Sequence, residues 1–232
     1  MPLNADAQKQ LVARHAVRMI EHGMRVGLGT GSTATLLVRE LGMRWKQGLR
    51  FTAVATSQAT HALASEHGLT MVELDDIHEL DIALDGADEV NPHLDVIKGL
   101  GGALLREKLV ESVAIRLVIM VDASKPVELL GSKTTLPVEV VPFGWKHTAR
   151  RLEAHGLHPV LRGGTESPFT TDGGHYILDC RFTPLADAQE LAAAVKGTTG
   201  VVEHGFFLGM ATDLLIGQAD GTVMSRQRRA TV

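Results

Sequence analysis

The sequence predicts an α/β protein: a mostly parallel, Rossmann-like sheet domain joined to a smaller ferredoxin-like α+β domain. Three observations lead there. Over residues 5–122 short apolar runs alternate with helical patterns, the rhythm of a parallel sheet covered on both faces. From about Pro126 the rhythm becomes β-α-β-β-α-β, the order of a split βαβ unit. The chain also has 232 residues, 44% of them hydrophobic and 22% charged, enough to bury a sizeable core without disulfides or a structural metal.

Residues 5–22 read as an amphipathic helix, with Val12, Ala16, Met19 and Ile20 on one face, ended by His22-Gly23. "RVGLG" reads as a buried strand, followed by a glycine-rich loop and a helix carrying Leu36, Leu37 and Leu41. "FTAVA" is the next strand, and "TSQATHALASEHG" a loop and helix. "LTMVEL" and "LDIALD" are further short apolar runs; a helix then follows "KGLGG" to about residue 115, and "RLVIMV" is a strand. The second domain takes "LPVEVVPF", a helix over 145–155, "HPVLR", "HYILDCRF", a helix near 186–196 and "GVVEHG", with 163–174 as its central turn. The expected boundaries are residues 1–126 plus 206–232 for the sheet domain and 127–205 for an inserted domain. "DLLIG" (213–217) is a candidate to rejoin the first sheet, and "SRQRRATV" reads as a solvated end.

Composition narrows the function classes. A net charge of −4 supplies no basic field for nucleic acid or a membrane surface. Cys180 is the single cysteine, which excludes an intramolecular disulfide and a CxxC zinc site. The first twenty residues are interrupted by charges, unlike a signal peptide, and the longest aliphatic run, "LVIMV", is far below the ~20 residues of a membrane span. The expected location is cytoplasmic.

In open parallel sheets ligands bind at the carboxyl ends of strands. Five polar loops follow such strands or lie near them: 29–33, 56–58, 85–89, 98–102 and 122–125. "GLGTGSTA" lacks the lysine of a Walker A loop. Ser32 stands where a dinucleotide fingerprint needs its third glycine, and the second strand ends in hydroxyls rather than an acid. What remains is a strand-to-helix turn, Thr30-Gly31-Ser32-Thr33, whose N–H groups and hydroxyls suit a single phosphate group. The plainer alternative is a tight turn with Ser32 or Thr33 as helix N-cap.

"LDGADEV" sets Asp85 and Asp88 around Gly86-Ala87 at a strand end, placed to bind sugar hydroxyls, hold a divalent metal or move protons. The eleven histidines are scattered without HExxH spacing, so no metal site is expected. In "KGLGGALLREK", Lys98 stands beside the loop Gly99-Leu100-Gly101, a cation next to exposed N–H groups that could stabilise an oxyanion. Glu107 shares a small, apolar helical stripe with Ala103, Val110 and Ala114. Desolvation there favours the protonated form and suits a general base. Lys125, in "DASK", could bind phosphate or sit in water.

As a set, "GLGTGSTA", "LDGADEV", "KGLGGALLREK", "DASK" and "LPVEVVP" resemble ribose-5-phosphate isomerase of type A, most strongly over residues 26–142. The resemblance implies an aldose–ketose isomerase of the non-oxidative pentose phosphate pathway. It would act on a sugar phosphate without metal or organic cofactor, as a homodimer or larger homo-oligomer. It implies that Thr30 to Thr33 bind substrate and that Asp85 to Asp88 line the sugar. Lys98 and Gly99 to Gly101 would hold the reacting end, Glu107 would accept the proton, and Lys125 and Lys9 would lie at the substrate. The family often reads KGGGAAL, so Leu100 replaces a glycine and Gly102 an alanine. Two alternatives are an amino-sugar phosphate deaminase of related fold and a sugar-phosphate-sensing regulatory module. The match through Lys98 to Lys108 disfavours the first. The single helix ahead of the loop at residue 27 disfavours the second, whose relatives usually carry a preceding DNA-binding segment.

Overall fold

A computed structural model describes residues 2–228. In chain order the elements are α1 (Ala5–Ala16), β1 (Arg25–Leu28), α2 (Ser32–Lys46), β2 (Thr52–Ala55), α3 (Gln58–Glu66), β3 (Thr70–Met71) and β4 (Ile82–Asp85). Next come β5 (Glu89–Val90), β6 (Val96–Ile97), α4 (Leu104–Ser112) and β7 (Leu117–Asp122). The rest are β8 (Leu136–Val140), α5 (Trp145–Glu153), β9 (His158–Leu161), β10 (Tyr176–Arg181), α6 (Gln189–Lys196), β11 (Val201–His204), β12 (Phe206–Phe207), β13 (Asp213–Gly217) and β14 (Val223–Gln227).

The chain forms two compact units. The first comprises the residues up to Ala87, Arg106–Lys125 and those from Met210 on; the second comprises Asp88–Leu105 and Pro126–Gly209. The first unit holds a seven-stranded sheet ordered β14-β13-β7-β4-β1-β2-β3, parallel except for the β13–β14 pair. Alternation along β1 explains the two-faced packing: Val26 and Leu28 join the core under α1 and α2. Gly27 points to the other face, where a Cβ would crowd Val110 of α4 at 3.1 Å. Each fully buried Val or Leu contributes about 1.5–3 kcal/mol. Asn4 caps α1 by accepting the Ala7 N–H at 2.9 Å. "DLLIG" does return to this sheet as β13, parallel to β7.

The reading of "SRQRRATV" as a solvated end agrees with the exposure of Ser225, Arg226 and Gln227, but these residues are also part of an edge strand. Ser225 and Arg226 pair with Leu215 and Leu214 in the β14–β13 ladder, because an edge strand needs only one hydrogen-bonded side and can carry polar residues. Residues 229–232 lie outside the described residues.

Two ion pairs sit at the amino ends of these strands. Arg25 opens β1 and binds Asp81 at 3.0 Å; Arg116 precedes β7 and binds Asp213 of β13 at 2.8 Å. Burial opposes ionisation of Asp213, but hydrogen bonds from Arg116, Thr212 and Gln227 outweigh it and hold the carboxyl below its ordinary range. A depressed folded value means the contribution is complete above about pH 4 and is lost as pH falls through the folded value. Asp213→Asn is therefore expected to lower the unfolding free energy at pH 7 by about 1.5–3 kcal/mol. Urea titrations should show the gap from the unsubstituted chain shrinking below pH 4.

The second unit has a four-stranded antiparallel sheet, β11-β8-β10-β9, with α5 and α6 in the β-α-β-β-α-β order. Leu136, Val138 and Val140 of β8, with Leu178 and Cys180 of β10, make one buried face against Leu152 of α5 and Val195 of α6. Burial pushes the Cys180 thiol well above its usual range and leaves it unreactive. This unit also contains residues 88–105, which the sequence boundaries put in the sheet domain. The physical reason is a second small sheet, β12-β6-β5. The buried Glu89 carboxylate reinforces it by accepting N–H groups of Gly131, Lys133 and Thr134. Residues 206–209 belong here for the same reason, since Phe206 pairs with Ile97.

Candidate active site

In the first unit the sheet order reverses between β1 and β4: β2 and β3 lie on one side, β7 and β13 on the other. Such a switch point opens a crevice at the strands' carboxyl ends. The loops after β1, β2 and β4 meet there. Asp85, at the end of β4, is buried, and its Oδ1 accepts the N–H of Thr30 at 3.1 Å and of Gly86 at 2.6 Å. Gly29 makes this possible, because any Cβ there would collide with the Asp85 carboxylate.

Four hydroxyls complete the crevice. Thr60 donates to the Gly29 carbonyl at 2.9 Å, Ser57 to Thr60 at 3.1 Å, and Thr30 to Ser57 at 2.8 Å. Each hydroxyl has one proton, so Thr56 is the donor in its 2.7 Å bond to Thr30. The Thr30 hydroxyl is thus held inside the protein rather than turned outward. Ser57 also caps α3 by accepting the Thr60 N–H at 3.1 Å. For α2 the cap is Gly31, with φ of 111° and no side-chain hydrogen bond, so neither Ser32 nor Thr33 is the N-cap. Ser32 is exposed and Thr33 buried, at the first turn of a helix whose N-cap, Gly31, brings no side-chain acceptor.

Glu107 lies in the first turn of α4 and is 3% exposed. Val110, one turn on, crowds Gly27 of β1, and Ala114 bridges Leu80 ahead of β4. The helix therefore runs antiparallel to the strands, and Glu107 stands toward their carboxyl ends with Asp85 and the Thr30 loop. The loop after β7 is tied to α1: the Gln8 side chain accepts the Ala123 N–H at 2.9 Å, and the Gln8 backbone packs where Gly217 has no side chain. Lys125 is half-buried on that loop. Lys9 follows Gln8 on α1, its Nζ 3.5 Å from Asp6.

The second unit brings together Asp88, Lys98, Gly99, Leu100 and Gly101. Asp88 Oδ2 accepts the Leu100 N–H at 3.0 Å, and the Asp88 N–H donates to Ile97 at 2.8 Å. Lys98 is buried at the end of β6, its N–H bound to Gly205 and its Nζ 5.4 Å from the Phe207 ring centroid, within cation–π range. Leu100 fits its place in the loop: its φ is not positive, and it is 47% exposed. Gly102 is the constrained position, with φ of 83° and the Phe169 ring where a Cβ would lie. Among the described residues no cluster of three or more His, Cys, Asp or Glu could hold a metal, and no helix is long and apolar enough to cross a membrane.

Sequence reasoning missed Gln8 and Arg162, whose Nη1 donates to the Gly99 and Leu100 carbonyls at 3.1 Å and 3.0 Å. Neither belongs to a motif; each acts through a bond to a distant backbone.

Comparison with known proteins agrees with this architecture. The family model described as ribose 5-phosphate isomerase A (phosphoriboisomerase A) matches residues 52–221. Ribose-5-phosphate isomerase A of Synechococcus sp. (strain JA-3-3Ab) is 50% identical over 227 residues, covering 97% of this chain and 99% of that one. The solved ribose 5-phosphate isomerase from Plasmodium falciparum superposes with a TM-score of 0.93 at 36% identity, over 97% of this chain and 100% of that one. A D-ribose-5-phosphate isomerase solved in complex with phospho-erythronic acid gives a TM-score of 0.94 at 35% identity, over 97% and 100% of the two chains. The chain belongs to the ribose 5-phosphate isomerase A family and interconverts ribose 5-phosphate and ribulose 5-phosphate.

Proposed function

We propose that the interconversion runs through an enediolate with Glu107 as the general base. The carrying observation is the burial of Glu107 at the first turn of α4, toward the strand ends that bear Asp85 and Thr30. Glu107 removes the C2 proton of open-chain ribose 5-phosphate; the C2–H electrons form the C1–C2 double bond and the C1 oxygen takes the charge. Return of that proton from Glu107 to C1, with the C2 hydroxyl proton passed to the C1 oxygen, gives the ketone and regenerates the carboxylate. Lys98 and the amides of Gly99 and Gly101 stabilise the oxygen charge, where each donor is worth about 10²–10³ in rate, while the Leu100 amide is held by Asp88.

The uncapped start of α2, with Gly31, Ser32 and Thr33, suits the phosphate, as do the cations of Lys9 and Lys125. The phospho-erythronic acid held by a relative, a phosphorylated sugar acid by its name, supports this arrangement of one phosphate and one oxygen-rich end. Asp85, Gly86, Ala87 and Asp88 meet the sugar hydroxyls, and Asp88 assists opening of the furanose. Thr30 contributes its remaining hydroxyl lone pair, since its N–H is committed to Asp85 and its hydroxyl proton to Ser57.

The test is conversion of ribose 5-phosphate by the purified chain in D₂O, with and without EDTA. Chelator-resistant turnover that places deuterium at C1 of the product supports a metal-free enediolate; loss of activity in EDTA refutes it. Asp88→Asn is expected to slow cyclic substrate more than a freshly generated open-chain pool, and equal slowing removes the ring-opening role. A homodimer or larger assembly is in keeping with Phe143, 93% exposed on the second unit, and light scattering measures it. A reducing, cytoplasmic setting fits the one buried thiol.

A further inference from the structure

Arg162 follows β9 in the second unit and spends four of its five N–H donors on two targets. Nε and Nη2 grip Asp179 of β10 at 2.9 Å and 2.5 Å, which fixes the guanidinium plane. Nη1 holds the carbonyls of Gly99 and Leu100. The guanidinium also lies 5.6 Å from the Phe169 ring centroid, and that ring closes the space beside Gly102. Charge, plane and ring thus converge on a loop that has almost no side chains with which to hold itself.

No described peptide is cis. In a planar trans peptide the N–H points opposite to the C=O of the same unit. Turning the Gly99 and Leu100 carbonyls toward Arg162 therefore turns the Leu100 and Gly101 N–H groups the other way. The Leu100 N–H goes to Asp88, as that geometry requires. A cation on the carbonyl side also polarises each peptide and makes its N–H a better donor. We propose that Arg162 is a positioning residue for the isomerisation: it turns the Leu100 amide onto Asp88 and aims the Gly101 amide at the reacting sugar oxygens. This rests on the reading of the Lys98 loop as the charge-stabilising element.

Steady-state conversion of ribose 5-phosphate by Arg162→Ala and Arg162→Lys tests it. The expected result is a kcat lowered on the order of 10²-fold with KM changed less than about threefold. Millimolar guanidinium ion should restore kcat at least about tenfold in Arg162→Ala, and ammonium should not, because only the planar fork can grip Asp179 and hold both carbonyls at once. A purely structural role would lower stability without guanidinium-specific recovery. If Arg162→Ala does not fold, Arg162→Lys decides by the same kcat and KM comparison, since it keeps the charge and loses the fork. Unchanged kcat, or a loss carried by KM, overturns the inference. Lys98→Gln separates the two readings. If it lowers kcat and the Arg162 variants do not, only the positioning role fails. If it leaves kcat intact, the charge-stabilising reading fails and the role of Arg162 falls with it.

Discussion

Glu107→Gln is expected to lower kcat by about 10²–10⁴-fold, the usual worth of a positioned base, with KM for ribose 5-phosphate nearly unchanged. The amide keeps the side chain's size and hydrogen-bonding reach, so α4 should keep its packing of Val110 against Gly27. What it loses is the ability to take a proton. Glu107→Asp keeps the carboxylate but withdraws it by one methylene, and a shift of that size can cost about 10². The two variants should therefore rank with Asp above Gln, both far below the unsubstituted chain. A Gln variant within tenfold of normal kcat would sink the assignment. Deuterium incorporation at C1 provides a second readout, since exchange with solvent requires a base that holds the proton between steps.

The Gly29→Ala change is expected to damage both activity and stability. Gly29 is not among the glycines with positive φ, so its φ does not by itself demand glycine. The obstacle is space: its Cβ would fall on the Asp85 carboxylate. Either Asp85 leaves the Thr30 and Gly86 N–H groups, or β1 moves away from β4. Overpacking of this kind typically costs about 1–3 kcal/mol. Misplacing groups at the crevice should lower kcat/KM by about 10² or more. Urea unfolding and turnover, measured on the same preparation, check the two effects. Full activity with reduced stability would show that Asp85 can be displaced without consequence for the reaction, contrary to its proposed place at the sugar.

The main sheet was legible because strands such as "FTAVA" and "RLVIMV" are compact apolar runs separated by helical periodicity. β5, β6 and β12 were not, since two residues are too few to show alternation, and the β12–β6 pairing joins residues more than a hundred positions apart. That pairing is also why the boundary at residue 126 missed 88–105. β14 escaped notice because Ser225, Arg226 and Gln227 are exposed and polar, which a one-sided edge strand permits. Within the site, residues at strand ends could be picked out by chemistry, as Asp85 and Lys98 were. The inward commitment of the Thr30 hydroxyl could not, because it depends on Thr56, Ser57 and Thr60 arriving from another loop. Arg162 was invisible for a related reason: "HPVLR" records a strand end, and nothing local says which carbonyls its guanidinium will find.

The two ion pairs at the amino ends of the strands have a further consequence for how this chain can be altered. Arg25–Asp81 and Arg116–Asp213 lie at the opposite ends of β1, β4, β7 and β13 from Asp85 and from Glu107, the proposed base. Groups that catalyse must keep some of their bonding capacity for the substrate, and that unspent capacity is a standing cost to the fold. Here the compensating charge pairs are a strand's length away. Added caps, fuller pairing or new proline in turns at the amino ends can therefore raise heat resistance while the crevice stays as it is. Laboratory selection for thermal tolerance in this chain should accumulate its substitutions at that edge first.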